Sequence, residues 1–427
     1  MNGTVIRQKS SSSHKRKRKK LSISAVSQNS KFQQKDKSSP STSKNNTKCE
    51  NIMNAKLPEL KPRPQTAKST EAPRCRTTPS PKNLLPPPFE RRKKVALLTA
   101  IKPENEKSEK ERFMRAHFVY NPLFIYKYPA DSSVIERFNK PSTRYLTQAI
   151  LIMEKALARY GSYEVFEQIT GGPILNRPYI YTLVRKYLKK ENLENDISIN
   201  LSEDLLSRGS MTQVKGRPTV NVRIVNLREQ WAEGLLRHEI GTHYIRSCNN
   251  QYQLWANFKN RRELGLLPLN PTEEGLASLH SVLTRTDPLL WRAALLYYTA
   301  YKASVLSFKE LFHDLEQFVH SPNVRWDYCI RAKRGQTDTS KPGSFCKDQV
   351  YLDGALQILK RRHTLDFSLL VRLGKVSHKD IELLEDICEL ESTKIPSFMN
   401  DMNLYKRQID KIADVNGLTD NILAEVE

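Results

Sequence analysis

Apolar residues recur at helical spacing along most of the chain beyond residue 112. Residues 144–160 place their apolar positions on one helical face and end at Gly161, a residue type that favours a helix C-terminus. A second amphipathic helix is predicted over 177–191. Five further helices with polar joints are predicted over 287–303, 306–319, 347–362, 378–391 and 401–413. This part of the chain is therefore expected to be mainly helical.

Two short segments between these helices alternate apolar and polar residues, as half-buried strands do. They are residues 197–201 and 219–224, and residues 215–218 supply a turn before the second. A long helix is predicted directly afterwards, over 226–247. The strand before that helix is expected to form the edge of a cleft, to which an extended peptide could add as another strand. The predicted fold class is α+β, a mainly helical domain with a small β-sheet.

The first 111 residues differ in composition from the rest. They are rich in Ser, Lys, Pro, Asn and Gln, which predicts a long disordered basic tail over 1–111 and one globular domain over 112–427. The net charge of +24 belongs mostly to the tail, because residues 1–100 hold 24 Lys and Arg against 5 Asp and Glu. Such a tail is expected to bind a polyanion, either nucleic acid or an acidic cytoskeletal surface, unless it is only a solvated linker.

The six cysteines are scattered and form no CxxC pair. This spacing predicts neither a disulfide framework nor a cysteine-based zinc site. The sequence also has no signal-peptide core and no apolar run of about 18 residues, the length that a membrane span needs. We therefore expect a reducing location, in the cytoplasm or the nucleus, and no membrane contact.

The segment 237–246 (RHEIGTHYIR) carries the main candidate chemistry. His238 and His243 bracket Glu239, and two imidazoles beside a carboxylate are the set that a zinc hydrolase needs. Histidines five apart differ in direction by roughly 140° on a regular helix, against about 40° for the usual four-residue spacing. Both can bind one metal only if the helix contains a π-bulge, which we predict near Gly241. Alternatively, the two histidines are ordinary polar residues of a long helix.

A third ligand is expected from the helix that begins near residue 270. Asn270 suits the N-cap position, Pro271 the first turn, and Glu273 the reciprocal position of a capping box. That assignment leaves Glu274 as the candidate ligand, with Glu273 as its rival. Two His and one Glu leave a fourth position for water, and Glu239 would then be the general base.

The motifs HEIGTH, TEEGLA and VYLDG (residues 350–354) resemble those of the tubulin tyrosine carboxypeptidases of the MATCAP type, over roughly residues 112–427. The resemblance favours the less characterised vertebrate paralogue. It implies a zinc metallopeptidase fold with one Zn²⁺ per chain, held by His238, His243 and Glu274, with Glu239 as the catalytic base. It also implies removal of the C-terminal tyrosine from the α-tubulin tail, on microtubules.

Recognition of a terminal carboxylate favours an arginine, because its forked donors match the two oxygens. Arg223, on the polar face of the second strand, and Arg246, three residues after His243, are the candidates. Tyr351 is a further candidate for substrate binding, from its place in VYLDG. Each could instead have a purely structural role.

The sequence thus predicts a zinc carboxypeptidase that detyrosinates α-tubulin in the cytoplasm, on the cytoskeleton, with nuclear residence also open. Two other functions remain open: a catalytically inactive protein that binds microtubules or nucleic acid, and a metallopeptidase of another protein C-terminus.

Overall fold

The computed structural model describes residues 97–426 apart from positions 129, 130 and 206. Residues 1–96, most of the predicted basic tail, lie outside the described residues. In the described part, the helices before the sheet are α1 (Leu97–Ala100), α2 (Glu106–Arg115), α3 (Ser132–Glu136), α4 (Leu146–Tyr160), α5 (Tyr163–Gly171) and α6 (Arg177–Lys190). No helix there is long and apolar enough to cross a membrane.

Helical structure begins earlier than the predicted boundary at residue 112, which falls inside α2. Ile101 and Phe113 are fully buried. The Phe113 ring packs against Phe312 and Trp326, with ring centroids 5.0 and 5.3 Å apart. Residues 97–111 are therefore part of the folded body. The tail prediction missed this because α2 is so rich in charge that its single buried aromatic residue shows no apolar period.

A three-stranded sheet follows, in the order β1-β3-β2. It consists of β1 (Ser198–Ser202), β2 (Gly209–Val214) and β3 (Arg217–Arg223). β3 is central, parallel to β1 and antiparallel to β2. The prediction that the strand before the long helix forms the cleft edge is therefore wrong, since β2 holds that place. β2 was not predicted because its sequence, GSMTQV, lacks alternating apolar residues.

The long helix is continuous but not uniform. It runs as α7 (Glu229–Leu236), a π-helix (Arg237–Tyr244) and α8 (Ile245–Tyr252). The later helices are α9 (Phe258–Glu263), α10 (Thr272–Val282), α11 (Trp291–Ala303), α12 (Phe308–Asp314), α13 (Pro322–Ala332), α14 (Val350–Lys360), α15 (Phe367–Arg372), α16 (Ile381–Leu384), α17 (Met402–Val415) and α18 (Asp420–Ala424). A mainly helical chain with a small sheet is confirmed, although the helix predicted over 378–391 consists of short segments.

The π-helix lies between two hydrophobic cores. The larger core is built around α10, α11 and α14, and Ile245 belongs to it. The smaller one fills the space between α6, the sheet and α7, and Ile240 belongs to it. Because both flanks of the π-helix are packed, its side chains are held in fixed positions relative to the sheet and to α10.

Candidate metal centre and substrate cleft

The π-helix brings His238 and His243 together. Their ring centroids are 4.8 Å apart and the rings are nearly perpendicular, at 84°. A π turn closes hydrogen bonds from residue i to residue i+5, so residues five apart come to lie above one another. The bulged turn predicted from the five-residue spacing is therefore confirmed.

Hydrogen bonds from buried side chains secure this wide turn. The Thr242 hydroxyl donates to the Arg237 carbonyl five residues earlier, at 2.8 Å. With that hydrogen used, His280 Nδ1–H donates to Thr242 Oγ1 at 2.7 Å, and the Tyr405 hydroxyl donates to His280 Nε2 at 2.8 Å. His280 is thus a structural histidine with both ring nitrogens hydrogen-bonded.

Gly241 is required by packing and not by backbone strain, since its φ is not positive. A Cβ on this residue would lie 2.7 Å from Phe398 Cε1 and 2.8 Å from Tyr187 Oη. The absence of a side chain therefore lets the π-helix approach these two aromatic residues. The π-helix does include Gly241, as predicted. The glycine is needed there for packing and not, as predicted, for its tolerance of a distorted backbone.

Glu274 completes a cluster that could hold a metal. One ligand atom from each of His238, His243 and Glu274 lies within 4.8 Å of the others. Glu274 Oε2 is 3.7 Å from His238 Nε2 and 3.4 Å from His243 Nε2. Tetrahedral zinc with bonds of about 2.0–2.2 Å separates its ligand atoms by about 3.3–3.6 Å. Glu274 Oε2 is buried and accepts no hydrogen bond, so these residues fit a zinc ion.

Glu273 does not close a capping box. The first helical residue of α10 is Thr272, no side chain caps the helix, and Asn270 Oδ1 is buried without a partner. The Glu273 carboxylate instead accepts hydrogen bonds from His243 Nδ1 at 2.7 Å, from Arg246 Nη1 at 2.6 Å and from Lys375 Nζ. It therefore fixes the orientation of the His243 ring and leaves Nε2 directed at the cluster.

The charges around the cluster favour a cation. Burial, and then His243, lower the pKa of His238 to about 4, which keeps that imidazole neutral and able to bind a metal at neutral pH. Burial also acts to lower the pKa of His243, but the hydrogen bond to Glu273 and the nearby carboxylate of Glu274 outweigh it and raise the value to about 10. The two carboxylates thus stabilise positive charge at His243 Nε2.

Glu239 lies beside the cluster and lines the cleft on both sides of it. Burial raises the pKa of Glu239 to about 7, against the opposing effect of His243 and with a further rise from Glu274. A carboxyl group with a pKa near neutrality can both accept and return a proton. Edge strand β2 packs closely here, since a Cβ on Gly209 would lie 3.0 Å from Glu239 Cγ.

Two cavities meet at His238 and Glu239. The larger, of about 850 Å³, runs along the outer edge of β2 and also contacts His243 and Glu274. The smaller, of about 170 Å³, has an apolar wall that includes Trp231 and Trp291. Six arginines also line it, namely Arg208, Arg223, Arg228, Arg285, Arg292 and Arg331. The cluster thus separates an open groove from a narrow cationic pocket.

Most of the pocket arginines have no acidic partner. Arg331 pairs with Asp348 and Arg228 with Glu167, whereas the other four form no ion pair in the part of the chain that the structure describes. Burial, followed by the nearby Arg208, lowers the pKa of Arg285 to about 9 and that of Arg292 to about 10. An anion bound in the pocket would relieve this unfavourable burial of charge.

The three predicted substrate-binding residues have different outcomes. Arg223 lines the narrow pocket, so the structure keeps it as a candidate. Arg246 has no exposed surface and bonds to Glu273 and to the Val376 carbonyl, so it supports Glu273 and does not reach a substrate. Tyr351 lines both cavities, with its ring 6.4 Å from that of His238.

Residues 175–417 match the family model described as MATCAP, microtubule-associated tyrosine carboxypeptidase. The chain belongs to the MATCAP family. It is 54% identical to the mouse protein named Putative tyrosine carboxypeptidase MATCAP2, over 77% of this chain and 63% of that protein. It is 50% identical to mouse Microtubule-associated tyrosine carboxypeptidase 1, over 76% of this chain and 70% of that protein. The human protein of the latter name is 49% identical, over 76% and 69%. The chain thus spans less than two thirds of the first of these relatives.

Two glycines of the MATCAP-like motifs have a clear structural purpose. Gly275 of TEEG and Gly354 of VYLDG face each other where α10 crosses α14. A Cβ on Gly275 would lie 2.1 Å from the Gly354 carbonyl carbon, and one on Gly354 would lie 1.9 Å from the Pro271 carbonyl oxygen. Glu274 directly precedes Gly275, and Tyr351 lies three residues before Gly354. The close crossing of the two helices therefore brings Glu274 and Tyr351 to the same side of the cleft.

Sequence reasoning missed the cationic pocket of this MATCAP domain. Its arginines come from separate segments: Arg208 precedes β2, Arg285 follows α10, and Arg292 begins α11. No local pattern links such residues, because only the tertiary fold brings them together. Edge strand β2 and the carboxylate role of Glu273 were missed for the same reason.

Proposed function

We propose that this protein is a zinc-dependent carboxypeptidase that removes the C-terminal tyrosine of α-tubulin. One observation carries the proposal: ligand atoms of His238, His243 and Glu274 lie within 4.8 Å of one another beside Glu239, between a groove and a cationic pocket. Membership of a family named for tyrosine carboxypeptidase activity supports the choice of reaction.

His238, His243 and Glu274 would hold the zinc. When bound, zinc supplies a Lewis acid that polarises the scissile carbonyl and lowers the pKa of water. Glu239, with its pKa near 7, accepts the proton of the attacking water and returns it to the leaving amine. The Tyr351 hydroxyl stays protonated at neutral pH, because burial and Glu274 raise its pKa, and it can donate a hydrogen bond to the developing oxyanion.

The narrow pocket suits the residue that is removed. Its unpaired guanidinium groups match a terminal carboxylate, and its aromatic wall of Trp231 and Trp291 matches a tyrosine ring. A pocket that binds a free carboxylate selects the last residue of a chain, which distinguishes a carboxypeptidase from an endopeptidase. We assign Arg292 and Arg223 as the first candidates for binding the carboxylate.

The larger groove suits the acidic segment before that residue. β2 is an edge strand along this groove, so its outer backbone groups can pair with an extended peptide. Lys347 also lines the groove and can pair with an acidic side chain of a bound peptide. An extended tail therefore fits the groove in backbone geometry, and Lys347 offers it one cationic contact.

The proposed partner is the α-tubulin tail on microtubules, which places the protein on the cytoskeleton in the cytoplasm. The relatives that carry the name microtubule-associated support this partner. The basic N-terminal segment would add to attachment by charge and raise the local concentration of substrate.

The test uses the purified full chain, tubulin and a panel of tail peptides that differ only in the last residue. Mass spectrometry should show loss of the terminal tyrosine, and no cleavage of the same peptide with an amidated C-terminus. Cleavage of the amidated peptide would refute the carboxypeptidase assignment. Zinc binding without cleavage of any terminus would identify a non-catalytic binding protein instead.

A further inference from the structure

Helix α6 has an unusual charge distribution. It carries five basic residues and no acidic residue within its sequence RPYIYTLVRKYLKK. The basic residues are Arg177, Arg185, Lys186, Lys189 and Lys190, and all five are exposed. Together with the exposed Tyr181, they form what we call the basic face of α6.

The opposite face of α6 is firmly packed. Ile180, Val184, Tyr187 and Leu188 are buried in the smaller core, against the sheet and α7. Ile240 of the π-helix belongs to the same core. The basic face is therefore held outward on an anchored helix, within the same packed unit as the candidate metal centre.

The basic face is not explained by interactions within the protein. Lys190 pairs with Glu233 at 3.7 Å, but Arg177, Arg185, Lys186 and Lys189 form no ion pair in the described ranges. Arg185 and Lys189 are four residues apart, as are Lys186 and Lys190. Like charges at this spacing repel and destabilise a helix. Arg177 also lies in the first turn, where the helix dipole disfavours a cation, whereas Lys189 and Lys190 lie in the last turn, where it favours one. An external anionic partner would offset these costs.

We propose that the basic face of α6 is a docking surface for the acidic outer surface of the microtubule. The inference rests on the microtubule partner of the proposed function and extends it, because it moves part of the attachment from the N-terminal segment to the folded domain. A surface on the unit that holds the π-helix fixes the orientation of the cleft relative to the polymer. The face has no fully exposed aliphatic side chain, which an interfacial membrane helix requires.

The first experiment reverses three charges in the full chain: Arg185→Glu, Lys186→Glu and Lys189→Glu. The matched control reverses three exposed charges of α17, Lys406→Glu, Arg407→Glu and Lys411→Glu, whose helix also carries acidic residues. Binding is measured by co-sedimentation with microtubules at several salt concentrations, in a Glu239→Gln background that prevents turnover. We expect the α6 variant to raise Kd by about tenfold or more at low salt and to weaken the salt dependence, with little change in the control.

Cleavage of a short tail peptide by the same α6 variant, with Glu239 intact, should stay at the wild-type rate. This cleavage assay tests the proposed function without depending on the docking surface, because a short peptide does not reach α6. Absence of cleavage in the wild type would refute the proposed function, while the binding result would still decide the role of α6. Equal microtubule binding by the α6 variant and the α17 control overturns the docking proposal. An α6 variant that loses binding to nucleic acid but keeps wild-type binding to microtubules overturns it as well.

A second experiment locates the contact directly. A photo-crosslinking phenylalanine derivative replaces Tyr181, which is 45% exposed, and in a control it replaces Leu404 of α17, also 45% exposed. We expect a crosslink to tubulin from position 181 and none from position 404. The result does not depend on how tightly the N-terminal segment binds. No crosslink from position 181, or equal crosslinking from both positions, contradicts the proposal.

Discussion

Replacing Glu273 with glutamine removes one negative charge while keeping the size of the side chain. The carboxylate is 3% exposed and accepts hydrogen bonds from His243, Arg246 and Lys375. An amide has only one acceptor oxygen, and its NH₂ group must face one of these three donors. The substitution therefore leaves at least one donor without an acceptor, and its neutral oxygen holds the His243 ring less firmly than the carboxylate does.

The expected losses of zinc affinity and of stability follow from the two roles of the Glu273 carboxylate, which orients His243 and pairs with Arg246. Loss of a carboxylate that orients a metal-binding histidine weakens metal affinity by about 10- to 100-fold, or roughly 1.4 to 2.7 kcal/mol. Arg246, with no exposed surface, also loses its counter-charge. Breaking a buried ion pair costs about 3–5 kcal/mol of stability. The cost for Glu273→Gln should be smaller, because the amide oxygen can still accept one of these hydrogen bonds. We therefore expect a folded but less stable protein with a clear loss of zinc affinity.

The assay is competition for zinc against a chromophoric chelator, together with urea unfolding of the same samples. Glu310→Gln is the control, because Glu310 closes a genuine capping box with Ser307 on α12, on an exposed part of the helix. It should leave zinc affinity unchanged. If Glu273→Gln binds zinc within twofold of the wild type, the assigned role of Glu273 is wrong.

Three further predictions concern the π-helix, the pocket and the metal. Gly241→Ala places a Cβ against Phe398 and Tyr187, so the free energy of unfolding in urea should fall by about 1–3 kcal/mol; no change would mean that the aromatic residues move aside freely. Arg292→Gln should lower kcat/KM for tail peptides by about 10- to 100-fold, the value of a charged hydrogen bond, and an unchanged kcat/KM would exclude it from carboxylate binding. Chelation should destabilise the wild type, and zinc at a hundredfold excess over Kd should restore about 2.7 kcal/mol, but not in His238→Ala.

The bulged helix and its histidines could be predicted because the relevant signal is local. Two histidines five residues apart, such as His238 and His243, cannot both reach one metal from a regular α-helix. A π turn brings them to the same side of the helix. The mainly helical fold was likewise readable from apolar periodicity. The capping argument that singled out Glu274 does not hold, since Asn270 makes no cap, so the sequence support for Glu274 is its place in the TEEG motif.

What could not be predicted depends on contacts distant in sequence. Glu273 satisfied a local capping pattern, but residues from α8 and from the segment after α15 draw its carboxylate into a buried ion pair. Edge strand β2 is defined by pairing with β3 and not by its own composition. The folded boundary before residue 112 likewise depends on the burial of Phe113 by α12 and α13. In each case the tertiary environment outweighed the local signal.

The most direct test measures zinc content and tyrosine release on the same samples of wild type and Glu239→Gln. The amount of tyrosine freed from α-tubulin is determined by mass spectrometry, and bound zinc by elemental analysis. We predict one zinc per chain in both proteins, with a rate in Glu239→Gln lower by about 10²- to 10⁴-fold. Tyrosine release by Glu239→Gln at the wild-type rate, or release by a wild-type sample that holds no metal, would contradict the proposed zinc carboxypeptidase.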